Sequence, residues 1–142
     1  EKGYMMSDND ILVMTYGTLK RGHYNYSYMQ AANGEFVDEV VSAESKYQMV
    51  GVGTAFPGII AGDKQFSGEL FKVPVEGIIN VLDFLEGYPV MYDRGFITVK
   101  SLNTNKEYSA LVYFLTKDFI HSTNLVTQTP QLKFDNNVYS WE

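Results

Sequence analysis

Short apolar runs, each cut off by a turn former within a few residues, constrain this chain more than any other feature. Alternating or unbroken apolar residues predict strands at 11–16, 35–41, 46–52, 68–73, 96–100 and 108–115, with a shorter piece at 58–61. Gly51-Val52-Gly53, Phe56-Pro57-Gly58, Gly62-Asp63 and Asn103-Thr104-Asn105 supply the left-handed or Asx-type positions that sharp reversals require. Many short strands joined this way curl into a barrel or a sandwich. The 15% aromatic content, with Tyr at 11 positions, suits a strand-rich interior or a Tyr-lined cavity. At 142 residues one hydrophobic core is expected.

Two segments prefer helix. Residues 25–32 make one or two turns, with the Asn25 side-chain oxygen placed to cap the start. Residues 75–86 carry the stronger signal: Pro74 suits a first helical position, Glu76 complements the positive end of the macrodipole, and Gly87 is placed to stop the helix in the left-handed region. Ile78, Val81, Leu82 and Leu85 form its apolar stripe. From Thr116 the pattern weakens into polar and aromatic residues, so 116–142 is expected as a tail that packs on the same domain, wrapping it rather than extending its sheet. Residues 1–10 are read as a disordered or appended leader, with Met5 and Met6 following Glu1 to Tyr4, and 11–115 as the domain proper.

A formal net charge of −6 argues against DNA or an anionic membrane surface as partner, since both require a basic patch, and Lys20-Arg21 is too small to make one. The absence of cysteine removes disulfides, thiolate catalysis and sulfur-ligated zinc, and fits a reducing compartment. Apolar runs reach about half of the ~20 residues a membrane helix needs, and the start lacks a signal-peptide pattern. The cytoplasm is the expected location.

Two segments carry chemistry. Tyr16, Gly17, Thr18 and Leu19 follow a buried strand, and a glycine there lets main-chain N–H groups turn toward an anion. Glu86 closes the predicted helix. At about 100° per residue it lies roughly 60–80° from the centre of the apolar stripe, so its carboxylate can look into a cavity. Free carbonyls of the last turn and partial burial would both raise its pKa. A solvated glutamate ending a surface helix is the plainer reading of position alone. Asp83 is a second candidate, either as the acid itself or as the like charge that raises Glu86, although its angle points it toward solvent. Tyr88 and Tyr92 flank the acid closely enough to help line a pocket.

Other motifs are missing. Residues 17–22 lack the glycine spacing and final Lys-Ser/Thr of a P-loop, and Gly51-Val52-Gly53 lacks the third glycine of a dinucleotide fingerprint. His23 and His121 do not read as a metal pair, and no Gly-x-Ser-x-Gly elbow occurs. No cofactor and no metal are expected.

Tyr16-Gly17-Thr18-Leu19-Lys20-Arg21-Gly22, Phe56-Pro57-Gly58, Gly68-Glu69-Leu70-Phe71-Lys72-Val73, Leu82-Asp83 to Glu86-Gly87, and Met91-Tyr92-x-Arg94 together resemble the γ-glutamylcyclotransferase-like family, especially its γ-glutamylamine cyclotransferase branch. The resemblance spans about 11–115 and leaves the tail uncovered. It implies an α+β fold, a compact mixed β-barrel with a few helices and a cavity at the Tyr-Gly-Thr-Leu loop. It further implies that this loop holds the γ-glutamyl group, through Tyr16, Gly17, Thr18 and Leu19 with Tyr92 beside them, and that Glu86 is the acid/base. Arg94 is expected as a buried arginine supporting the pocket. The implied reaction converts a γ-glutamyl amide to 5-oxoproline and a free amine, with a small-molecule γ-glutamyl substrate as the partner of a monomer or weak dimer. A cyclotransferase for γ-glutamyl peptides or metabolites, and a non-catalytic small-ligand module on the same fold, are the alternatives.

Overall fold

Five strands close on themselves in the computed structural model, which describes residues 9–142. The leader expectation falls mostly on residues 1–8, outside the described residues, and strand β1 (Asp10–Thr15) already begins at Asp10. Around the ring, β1 lies beside β7 (Glu107–Leu115), then β6 (Tyr92–Ser101), β2 (Glu35–Ser42) and β5 (Gln65–Pro74), which pairs back onto β1. The closing ladder is antiparallel, from Asp10 opposite Pro74 to Thr15 opposite Glu69. Because β1 and β7 run parallel at Val13 and Leu111, the barrel is mixed. A separate hairpin, β3 (Tyr47–Val52) with β4 (Phe56–Ala61), packs against it.

Unbroken apolar runs follow from burial on both faces of these strands, whose side chains alternate with period two. Met14, Leu70, Ala110 and Val112 point into one core with Met49, Ile59, Phe66 and Trp141. Their neighbours Val13, Phe71, Leu111 and Tyr113 point the other way, into a second core shared with the helices.

Helix α1 (Tyr26–Ala31) follows Asn25, but the Asn25 side chain does not cap it. Its Nδ2 instead donates to Thr18 Oγ1 at 2.9 Å, which ties the side chain back to the preceding loop. The segment 75–86 is helical throughout but is not one regular α-helix. It runs as α2 (Val75–Gly77), a π-helical turn (Ile78–Leu82) and α3 (Asp83–Glu86). Pro74 stays extended at φ −60° and ψ 147° as the last residue of β5, so Val75 opens the helix. Ile78 and Leu82 are buried with Val81 and Leu85 packed beside them, as the stripe predicts, and Gly87 ends the helix at φ 68°.

The tail departs from expectation. Thr116 Oγ1 accepts from Phe119 N at 3.2 Å and starts a short helix, α4 (Lys117–Ser122). Beyond it, β8 (Leu132–Asp135) and β9 (Val138–Trp141) form a hairpin around Asn136 and Asn137, both at positive φ. β9 pairs in parallel with β5 at Gln65 and Phe66, so the tail extends the sheet as well as covering the domain.

Candidate active site

One cavity of about 270 Å³ opens where β1 leaves the barrel, near the small end of the roughly 300–1,000 Å³ usual for ligand sites. Tyr16, Gly17, Thr18, Leu19, Glu86 and Tyr92 all line it. Residues 70 positions apart therefore meet because β1 and the end of α3 flank the same barrel mouth; Pro57 of β4 and Tyr113 of β7 complete the inner wall.

The loop is held from several sides. Asn25 N donates to Thr18 O at 2.8 Å, Lys20 Nζ to Trp141 O at 2.6 Å, and Arg21 N to Glu69 Oε1 at 2.8 Å. Gly17 is required by close approach: a Cβ there would meet Pro57 Cγ at 2.7 Å and Cδ at 2.8 Å. That is a tighter constraint than the turn freedom the sequence suggests. Among the described residues no bond is found from the N–H groups of Gly17, Thr18 and Leu19.

Burial alone pushes the Glu86 carboxyl from 4.5 to about 7. Neither the carbonyls of the last turn nor Asp83 is among the causes. The side chain keeps some surface toward the cavity, while protein atoms crowd its carboxyl on the other sides. No hydrogen bond or ion pair to Glu86 is found among the described residues.

Asp83 is buried rather than exposed. The π-helical turn explains the difference, since it holds more residues per turn than an α-helix and rotates every following side chain away from the 100° expectation. Arg94 grips Asp83 with two bonds, Nε to Oδ1 at 2.9 Å and Nη2 to Oδ2 at 3.0 Å. Tyr113 Oη adds a third, to Oδ1 at 2.6 Å. The Arg94 guanidinium is only partly buried and lies 4.0 Å from the centre of the Tyr88 ring, so Tyr88 supports the ion pair and does not line the cavity.

Three cavity tyrosines have committed protons. Tyr92 Oη donates to Pro57 O at 2.6 Å, Tyr16 Oη to Tyr113 O at 2.7 Å, and Tyr113 Oη to Asp83. Burial first, with the nearby Glu86 charge adding to it, raises all three hydroxyls above their usual range. They remain protonated at neutral pH and point elsewhere. Among the described cavity residues, Glu86 is the one whose side chain is brought to about 7. Among the described residues no three His, Cys, Asp or Glu side chains converge to hold a metal ion, and no helix is long and apolar enough to cross a membrane.

Sequence reasoning missed Tyr113 and Pro57 as walls of this cavity. Proline after Phe56 read as turn chemistry, and Tyr113 fell inside the strand predicted at 108–115.

Residues 13–134 match the family described as gamma-glutamyl cyclotransferase, AIG2-like, so the match reaches into the tail. A Vibrio cholerae protein named "Putative gamma-glutamylcyclotransferase" is 35% identical over 88 residues, 61% of this chain and 70% of that protein. A Drosophila melanogaster protein named "Putative gamma-glutamylcyclotransferase CG2811" is 37% identical over 90 residues, 58% of this chain, and the match spans 55% of its length. In fold, the chain is similar to an AIG2-like protein of Mus musculus, with TM-score 0.67 and 21% identity over 94% of this chain and 97% of that one.

Proposed function

Because this chain belongs to the gamma-glutamyl cyclotransferase, AIG2-like family, we propose that it is a γ-glutamylamine-type cyclotransferase in which Glu86 is the general acid/base. The observation that carries this reading is the Glu86 carboxyl, without a partner among the described residues and raised to about 7, in the same cavity as the Tyr16–Leu19 loop.

The chemistry needs little else. A γ-glutamyl amide contains its own nucleophile, so the α-amino nitrogen can attack the side-chain carbonyl and close a five-membered lactam. Holding the substrate folded in a small cavity supplies proximity, on the order of 7–11 kcal/mol in favourable intramolecular cases. The α-ammonium loses one proton to water, and as its nitrogen bonds the side-chain carbonyl carbon and an oxyanion develops, the Glu86 carboxylate takes a second proton from it. The oxyanion collapses, the old C–N bond breaks and Glu86 returns that proton to the leaving nitrogen, so 5-oxoproline, a free amine and one proton in water account for every atom. In this reading the N–H groups of Gly17, Thr18 and Leu19 hold the substrate carboxylate or the oxyanion.

Incubating the protein with γ-glutamyl-ε-lysine and other γ-glutamyl amides is expected to release 5-oxoproline, measured by chromatography. Glu86→Gln is expected to abolish release with an unchanged circular dichroism spectrum. Full activity in that variant would overturn the role assigned to Glu86, and saturable binding without turnover would favour a non-catalytic module.

A further inference from the structure

The cavity has two chemically different ends. Its inner end is formed by buried groups, among them Tyr16, Gly17, Leu19, Pro57 and Tyr92. Its mouth is formed by Tyr24, Ala55, Phe56, Leu85 and Met91, with the half-buried Thr18, Asn25 and Glu86 beside them, so most but not all of its surface is apolar. Tyr24 is 89% exposed although it lines the cavity, and Ala55 is exposed as well, which places both at the entrance.

Charge is distributed unevenly. Among the described residues Glu86 is the one charged side chain in the lining. A γ-glutamyl group already brings an ammonium and a carboxylate, and these are matched by Glu86 and by the loop N–H groups. A further charge on the leaving group would meet no counter-ion at the mouth and would lose water against apolar walls, which is costly for an unpaired ion. A leaving carboxylate would also be opposed by the net charge of −6. An apolar leaving group gains from the same walls, because it covers aromatic and aliphatic surface now in contact with water.

Resting on the cyclotransferase reading above, we propose that the amine released from the substrate carries an uncharged apolar body, aromatic or branched aliphatic, seated against Tyr24, Phe56, Leu85 and Met91. Tyr24 is the specificity-determining residue of this mouth. Its neighbour Asn25 is tied to Thr18 by two bonds, so the ring stands on an anchored base while its faces stay open.

The test compares γ-glutamylbenzylamide and γ-glutamylisobutylamide with γ-glutamylglycine and γ-glutamyl-ε-lysine, by kcat/KM for 5-oxoproline release and by calorimetric Kd. The apolar amides are expected to lead by about 10-fold or more, the order of discrimination that apolar pocket contacts supply. Tyr24→Ala is expected to cost the benzylamide about 10-fold while changing γ-glutamylglycine less than about 2-fold. Ala55→Arg, at an exposed turn position, is expected to narrow the gap by giving the glycine carboxylate a partner. Release from γ-glutamylglycine at an equal or higher kcat/KM would overturn the inference and leave the cyclotransferase reading standing. If no compound is turned over, that reading fails and Kd decides: apolar amides that bind no tighter than γ-glutamylglycine, or do not bind, overturn the inference too.

Discussion

Asp83 and Glu86 stand three residues apart at the end of one helical segment, yet they occupy opposite environments. Asp83 receives two bonds from Arg94 and one from Tyr113, and its charge is spent on holding the helix to β6 and β7. Glu86 has no such partner among the described residues and faces the cavity, with its carboxyl raised to about 7 by burial. Partners turn a buried carboxylate into a structural tie, whereas burial without partners leaves one that trades its proton at neutral pH. The π-helical turn ahead of both sets which way α3 faces, and their spacing within α3 sends one side chain to Arg94 and the other to the cavity.

The largest expected effect breaks the comparison on the Glu86 side. Glu86→Gln should lower kcat for γ-glutamyl amides by about 100-fold or more, as loss of a general acid/base does. The same variant should change how stability depends on pH. The folded pKa of about 7 lies above the usual 4.5, so the proton on Glu86 favours the native state below pH 4.5, and this advantage is lost as pH rises through about 7. Urea midpoints should show wild type losing up to about 3 kcal/mol across that window. Glu86→Gln should remove this part of the slope.

On the other side, Asp83→Asn should destabilise the fold by about 2 kcal/mol, since it weakens charge-assisted bonds to Arg94 and Tyr113. Its activity should fall far less than that of Glu86→Gln. A larger kinetic loss in the Asp83 variant would invert the assignment. A smaller effect sharpens the comparison from across the cavity: Gly17→Ala pushes a Cβ against Pro57 and should cost about 1 kcal/mol of stability. It should raise KM more than it lowers kcat, because it displaces the loop and not the acid.

Much of this was legible in the residues. Continuous apolar runs such as Ile11-Leu12-Val13-Met14 and Ala110-Leu111-Val112 announce strands buried on two faces, and the barrel has a core on each. Gly87 marks the helix stop, and the stripe of Ile78, Leu82 and Leu85 shows which side is buried. Helical periodicity fails at Asp83 because it assumes a uniform rotation, and nothing local in Ile78-Ile79-Asn80-Val81-Leu82 declares a π-helical turn. The β8–β9 hairpin was written more faintly. Leu132-Lys133-Phe134-Asp135 and Val138-Tyr139-Ser140-Trp141 alternate around Asn136-Asn137, a favoured pair for a tight reversal, but β8 is mostly exposed and carries little apolar weight. The close fit of Gly17 against Pro57 depends on the β3–β4 hairpin arriving from 40 residues away, and no local pattern encodes it.

The pH dependence of 5-oxoproline release, from pH 5 to 9 in wild type and in Glu86→Gln, tests the central assignment most directly. The expected wild-type profile of kcat/KM climbs with pH as Glu86 ionises, with a midpoint at about 7, and then levels off. In Glu86→Gln that limb should vanish along with most of the rate. A profile that is flat through neutrality, or the same limb surviving in the variant, would contradict the account.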